Sequence, residues 1–194
     1  MTFIEKDLED ILFEYSSSYE KRYLLQERGL PIMSHGTMLR QVDLAAYGIA
    51  DLIDIYVGCK SDVFSSKFVQ IDLYELKKEE VNWETFHQVV KYMRSIQLFI
   101  DQYYPKTRLY LNAFLIGKQL DKSGNFCFTS SVFNNINIYT YKYEIDGIKF
   151  YAESEYIISA NVFNDRKILT RQFKQDLIDA FKESVAVGTQ NKED

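Results

Sequence analysis

One row of side chains limits what residues 67–77 can be. Read with a period of two, Val69, Ile71 and Leu73 share a strand face with Glu75 and Lys77. An apolar row that should meet a core therefore turns charged at its last two positions. Burying a carboxylate and an ammonium is costly unless they are paired or bind something. The strand thus ends either in a structural ion pair at the rim of a sheet or in a site.

The neighbouring segments supply a frame for that strand. Thr2 and Glu5 have capping-box spacing and predict a helix with Ile4, Leu8, Ile11, Leu12 and Tyr15 on its apolar face. Residues 16–37 read as irregular, with a break at Gly29-Leu30-Pro31. Strands are expected over 39–44 and 49–57, with a turn at Tyr47-Gly48 and a loop over 58–66. Asn82 caps a helix running to about Tyr104, with Phe86, Val89, Val90, Met93, Ile96 and Ile100 inward, and Pro105 ends it. Strand patterns return over 108–116, 125–130, 137–143, 148–152 and 156–161. A closing helix is expected over 164–184, on the recurrence of Ile168, Leu169, Phe173, Leu177 and Phe181. Helix, three strands, helix and further strands predict α/β with a mixed central sheet. The chain of 194 residues suits a single domain over 1–187 with a polar tail over 188–194.

Composition narrows the function classes. The hydrophobic share of 46% supports a substantial core, and 15 Tyr with 14 Phe favour strands and large core contacts. No apolar run reaches the ~20 residues of a membrane span. The charged start lacks the apolar stretch of a signal peptide. Cys59 and Cys127 read as reduced thiols, so a cytoplasmic protein with no membrane association is expected. A net charge of −5 argues against a wide basic footprint on nucleic acid but leaves room for an acidic site that meets phosphate through a metal.

Asp51 shares its strand face with Ile49, Ile53, Ile55 and Val57, while Asp54 faces the other way with Leu52 and Tyr56. If these strands pair, Asp51 and Glu75 become neighbours at ~5 Å between Cβ atoms. Two bare carboxylates at that distance repel by roughly 3 kcal/mol at an effective dielectric of about 20, and a divalent cation between them reverses the sign. For either carboxylate alone, a solvated strand end or a pairing with Lys77 is the simpler account. Glu9, one turn after Glu5, is the acid left to reach the sheet if Glu5 closes the capping box; a solvated acidic face is its ordinary explanation. Gln88 and Tyr92 share a helix stripe at i and i+4. His35 and His87 lack ligand spacing and a nucleophile partner, and no phosphate-cradling glycine motif occurs.

Together these residues resemble the PD-(D/E)XK nuclease superfamily. The matches are Glu9 on a helix, Gly48-Ile49-Ala50-Asp51 on a strand, Glu75-Leu76-Lys77 on the next, and Gln88-Val89-Val90-Lys91-Tyr92 on the helix that follows. That last motif looks like the signature of the RecB-like branch. Leu39-Arg40-Gln41 leading to Gly48 and Asp51 looks like the archaeal branched-DNA endonucleases. The resemblance covers about 4–100, leaving 106–162 as a strand-rich elaboration. Two departures are the long interval from Asp51 to Glu75, which keeps Asp54 as a rival aspartate, and the acidic net charge.

The resemblance implies a restriction-endonuclease-like core and Mg²⁺- or Mn²⁺-assisted hydrolysis of DNA, single-stranded or branched. Asp51, Glu75 and the Leu76 carbonyl would hold the metal, with Glu9 directly or through water. Lys77 would position or deprotonate the attacking water, Gln88 and Tyr92 would line the substrate side, and Arg40 would contact phosphate. Repair, restriction or mobile-element defence are the settings it suggests, as a homodimer or with a partner protein. The competing expectations are a nuclease-like fold that binds nucleic acid or protein without cutting, and an assembly module using the aromatic-rich second half. The hydrolase expectation requires Glu9, Asp51 and Glu75 to converge beside Lys77.

Overall fold

The computed structural model describes residues 5–60, 67–121, 133–153 and 166–168, together with Phe126 and Asp179. Helices α1 (Glu5–Tyr15) and α2 (Tyr19–Glu27) come first, followed by β1 (Thr37–Asp43), β2 (Ile49–Lys60) and β3 (Lys67–Leu76). A short β4 (Glu80–Val81) leads into α3 (Trp83–Tyr103). Then come β5 (Arg108–Gly117), β6 (Gln119–Leu120), β7 (Ile136–Glu144), β8 (Gly147–Ala152) and β9 (Arg166–Ile168).

The main sheet runs β1-β2-β3-β5-β7-β8, and β9 pairs with β2; β4 and β6 form a separate two-stranded ribbon. Strands β3, β5 and β7 are mutually parallel, while β1, β2 and β8 pair antiparallel to their neighbours. The parallel step from β3 to β5 needs a crossover, and α3 supplies it. The fold is thus α/β with a mixed central sheet flanked by helices, as the alternation of patterns predicts.

Each face of the sheet has its own core. Ile53, Ile55, Val69, Ile71, Leu73, Leu115 and Ile138 pack against Phe86, Val89, Met93, Ile96 and Ile100 of α3. On the opposite face Leu52, Tyr74, Leu76, Phe114 and Ile116 meet Leu8 and Leu12 of α1 and Leu25 of α2. A fully buried Leu or Ile contributes about 1.5–3 kcal/mol, so these two layers fix the position of α1 and α3 relative to the sheet. Asn82 caps α3 as predicted, its side chain accepting from the Thr85 N–H. Val90, expected inward, is exposed.

Three expectations are corrected. Helix α2 occupies part of the segment read as irregular. Its buried face consists of Arg22 and Leu25 alone, too little to give an apolar stripe in the sequence. Residues 166–168, expected to begin the closing helix over 164–184, form β9. The reason lies in β2, which outruns β1: Thr37 pairs with Ile55 and nothing of β1 reaches further. The open edge at Gly58, Cys59 and Lys60 is filled by Ile168, Lys167 and Arg166, and satisfying that edge outweighs a helical periodicity. The loop expected over 58–66 therefore begins as strand. The expected strand over 156–161 and the tail over 188–194 lie outside the described residues; of the strand expected over 125–130 only Phe126 is described, and it is buried and helical rather than extended. Among the described residues no helix is long and apolar enough to cross a membrane.

Candidate metal centre

Strand β2 starts at a forced geometry. Gly48 has φ +113, and a Cβ there would stand 3.1 Å from the Tyr92 ring. The Tyr92 hydroxyl donates to the Ile49 carbonyl at 2.8 Å and accepts from Gln88 Nε2 at 2.6 Å. Tyr92 is 2% exposed. The pair on α3 thus braces the beginning of β2, and Tyr92 does so from within the core.

The antiparallel register places Leu52 opposite Tyr74, so the next step brings Asp51 beside Glu75. Asp51 Oδ2 accepts from the Leu76 N–H at 2.8 Å. It is thus the Leu76 amide that the structure shows engaging the site, and its side chain is buried on the other face. Glu75 is 1% exposed. Its Oε1 accepts from Lys77 Nζ at 2.8 Å, while its Oε2 is buried without a hydrogen-bond partner.

Electrostatics follow from that enclosure. Burial pushes the Asp51 carboxyl up to about 6, against the pull of the Leu76 N–H and the Lys77 charge. Burial, with the Asp51 charge added, pushes Glu75 up to about 7. Burial opposes the Lys77 ammonium, yet Glu75, Glu5 and Asp51 together hold its pKa above the usual lysine value. Tyr92 is raised by burial and by the charges of Glu75 and Asp51, partly offset by its bond to Gln88.

Glu5 belongs to this cluster, and the sequence reasoning missed it. Its Oε2 accepts from the Lys78 N–H at 3.2 Å, and its charge bears on Asp51, Glu75 and Lys77. The signal was present: Glu5, Leu8, Glu9 and Leu12 fall on one helical stripe, and both leucines are fully buried. Assigning Glu5 to a capping box hid it.

Glu9 is held differently from what was expected. It is 7% exposed, with Oε1 accepting from Arg40 Nε at 3.0 Å and Oε2 from Gln41 Nε2 at 2.8 Å. Its charge is felt at Asp51, but its oxygens are turned to β1. Arg40, expected to meet phosphate, pairs with both Glu9 and Asp10 and stacks over Phe13. Among the described residues no three His, Cys, Asp or Glu side chains form a ready metal set. Asp51 and Glu75 therefore converge beside Lys77, and Glu9 does not close the set.

Asp54 is resolved as a structural residue. It lies on the α1 and α2 face, opposite Asp72, and Arg22 of α2 grips it with Nη1 at 2.6 Å and Nη2 at 3.2 Å. His35 stacks on Tyr19, and His87 packs against Trp83 and Phe86.

The donor set suits a hard divalent cation. Two carboxylates on adjacent strands, one with a buried oxygen lacking a partner, are short of positive charge once ionised. No family model, curated protein or solved structure matches the chain.

Proposed function

We propose that this chain is a metal-dependent phosphodiester hydrolase acting on DNA, organised on the PD-(D/E)XK plan. The observation that carries the reading is the buried, unpartnered Glu75 Oε2 beside Asp51 at the end of β3. A group so placed gains most from a cation that both carboxylates can share. Asp51 and Glu75 would hold Mg²⁺ or Mn²⁺ with the Leu76 carbonyl; the convergence expected of Glu9 is not met, and Glu9 bears on the site through its charge alone. When bound, the ion supplies Lewis acidity to a phosphate oxygen and lowers the pKa of its water.

The chain's own residues do the rest. Lys77, half-buried and carrying its proton, orients the attacking water and offsets charge growing on the phosphate. The Leu76 N–H fixes one Asp51 oxygen, so that the carboxylate is aimed before substrate arrives. Gln88 and Tyr92 hold the start of β2 in place, and Gln88, half-buried, stands at the substrate side. The net charge of −5 favours a substrate that reaches the site at one phosphate, such as a single strand or a branch, or delivery by a partner or second copy.

A second reading has its own observation. The direct 2.8 Å bond from Lys77 to Glu75 already supplies one cation to the carboxylate pair, as in a nuclease-like fold that binds without cutting. Single-stranded, duplex and branched DNA incubated with Mg²⁺ or Mn²⁺ separates the two. Cleavage by the wild type is expected, with Glu75→Gln and Lys77→Ala slower by at least about a hundredfold and still folded by circular dichroism. A wild type that cuts none of these while still binding them would establish the second reading instead.

A further inference from the structure

Gln41 holds a backbone conformation that its place in β1 does not predict. The β1–β2 pairing runs from Arg40 opposite Leu52 to Val42 opposite Ala50, and the position between them, Gln41 opposite Asp51, is skipped. Gln41 has φ +49. A residue with a Cβ is uncommon there, and it persists where the surroundings over-determine it.

The side chains show what the distortion accomplishes. Consecutive strand residues face opposite sides of a sheet. Arg40 lies opposite Leu52, on the side of α1. One register step on, Val42 and Ala50 pack in the core on the α3 side, so the side-to-side alternation resets at Gln41. Arg40 Nε and Gln41 Nε2 both donate to Glu9, one to each oxygen. Two neighbours on a regular strand cannot share one partner in this way; a left-handed second residue allows it.

We propose that Gln41 is a positioning residue of the metal centre, its left-handed backbone turning its amide to Glu9 and fastening that carboxylate beside Asp51. The role rests on the hydrolase reading above. Glu9 is thereby fixed at both oxygens while its charge still bears on Asp51.

Two substitutions test this. Gln41→Gly accepts the left-handed backbone without strain and removes the side chain with its amide. Gln41→Val, β-branched, rejects positive φ and also lacks the amide that holds Glu9. Mn²⁺ affinity by electron paramagnetic resonance, cutting rate at saturating Mn²⁺, melting temperature and a crystal structure of Gln41→Gly are the readouts. In Gln41→Gly we expect Mn²⁺ affinity or saturated rate to fall about ten- to a hundredfold, melting temperature to hold, and Glu9 to move. Gln41→Val should lose at least as much. Wild-type affinity and rate in Gln41→Gly, or an unmoved Glu9, overturn the positioning role while leaving the hydrolase reading intact. A wild type that neither binds Mn²⁺ nor cuts overturns the hydrolase reading, and the positioning role with it.

Discussion

Glu75 makes unequal use of its two oxygens: one meets Lys77 and the other is enclosed without a partner. That asymmetry has a pH consequence. Asp51 at about 6 and Glu75 at about 7 hold protons more tightly in the folded chain than free carboxyls do. Their contribution to stability is complete below about pH 4, the range of unfolded carboxyls, and is lost as pH rises through 6 and 7. A bound divalent ion replaces those protons. The stabilisation by Mn²⁺ should be small at pH 5 and large at pH 8, reaching about 3 kcal/mol at a hundred times its dissociation constant. Calorimetry across that range with and without Mn²⁺ checks this, and a gain that is independent of pH would place the ion elsewhere. At this scale the site was partly legible. Period-two alternation put Asp51 and Glu75 on one face, and the observed register makes them neighbours. The shared helical stripe offered Glu5 as well as Glu9, and only the sheet's position selects between them.

Among the elements, the start of β2 is the most constrained. Gly48 combines a left-handed φ with contact against the Tyr92 ring, so Gly48→Ala meets both a backbone and a packing penalty. We expect a loss of about 1–3 kcal/mol in urea unfolding, together with weaker Mn²⁺ binding because Asp51 lies three residues on. Unchanged stability would mean that β2 can begin elsewhere. Helix α3 was legible because its stripe and its Asn82 cap agree. Helix α2 was not, since a helix that buries one arginine and one leucine leaves almost no periodic trace. Strand β9 was hidden for another reason. Three residues take strand form because of an open edge formed far back in the chain, and local pattern carries no record of that.

Across the whole molecule, two polar clusters have opposite purposes. At the end of β3, carboxylates are left short of positive charge. In the other cluster Arg22, 3% exposed, saturates Asp54, while Asp72 takes bonds from Gln70 and Asn112. Arg22→Ala should strand a buried carboxylate and cost about 3–5 kcal/mol in urea unfolding. Mn²⁺ affinity should hold in conditions where the variant is folded, because the bonds of Arg22 go to Ser16, Met33 and Asp54 rather than to the metal centre. A parallel fall in affinity would show that the two clusters are one.

The pairing of Arg166–Ile168 with the far end of β2 also bears on synthesis. The strand that carries Asp51 is made well before Arg166–Ile168, so one stretch of its edge finds its neighbour only after the long intervening segment has emerged. During that delay the bare edge is open to another nascent copy. Slow translation between these segments would lengthen the hazard, and chaperone capture of the unfinished chain would shorten it.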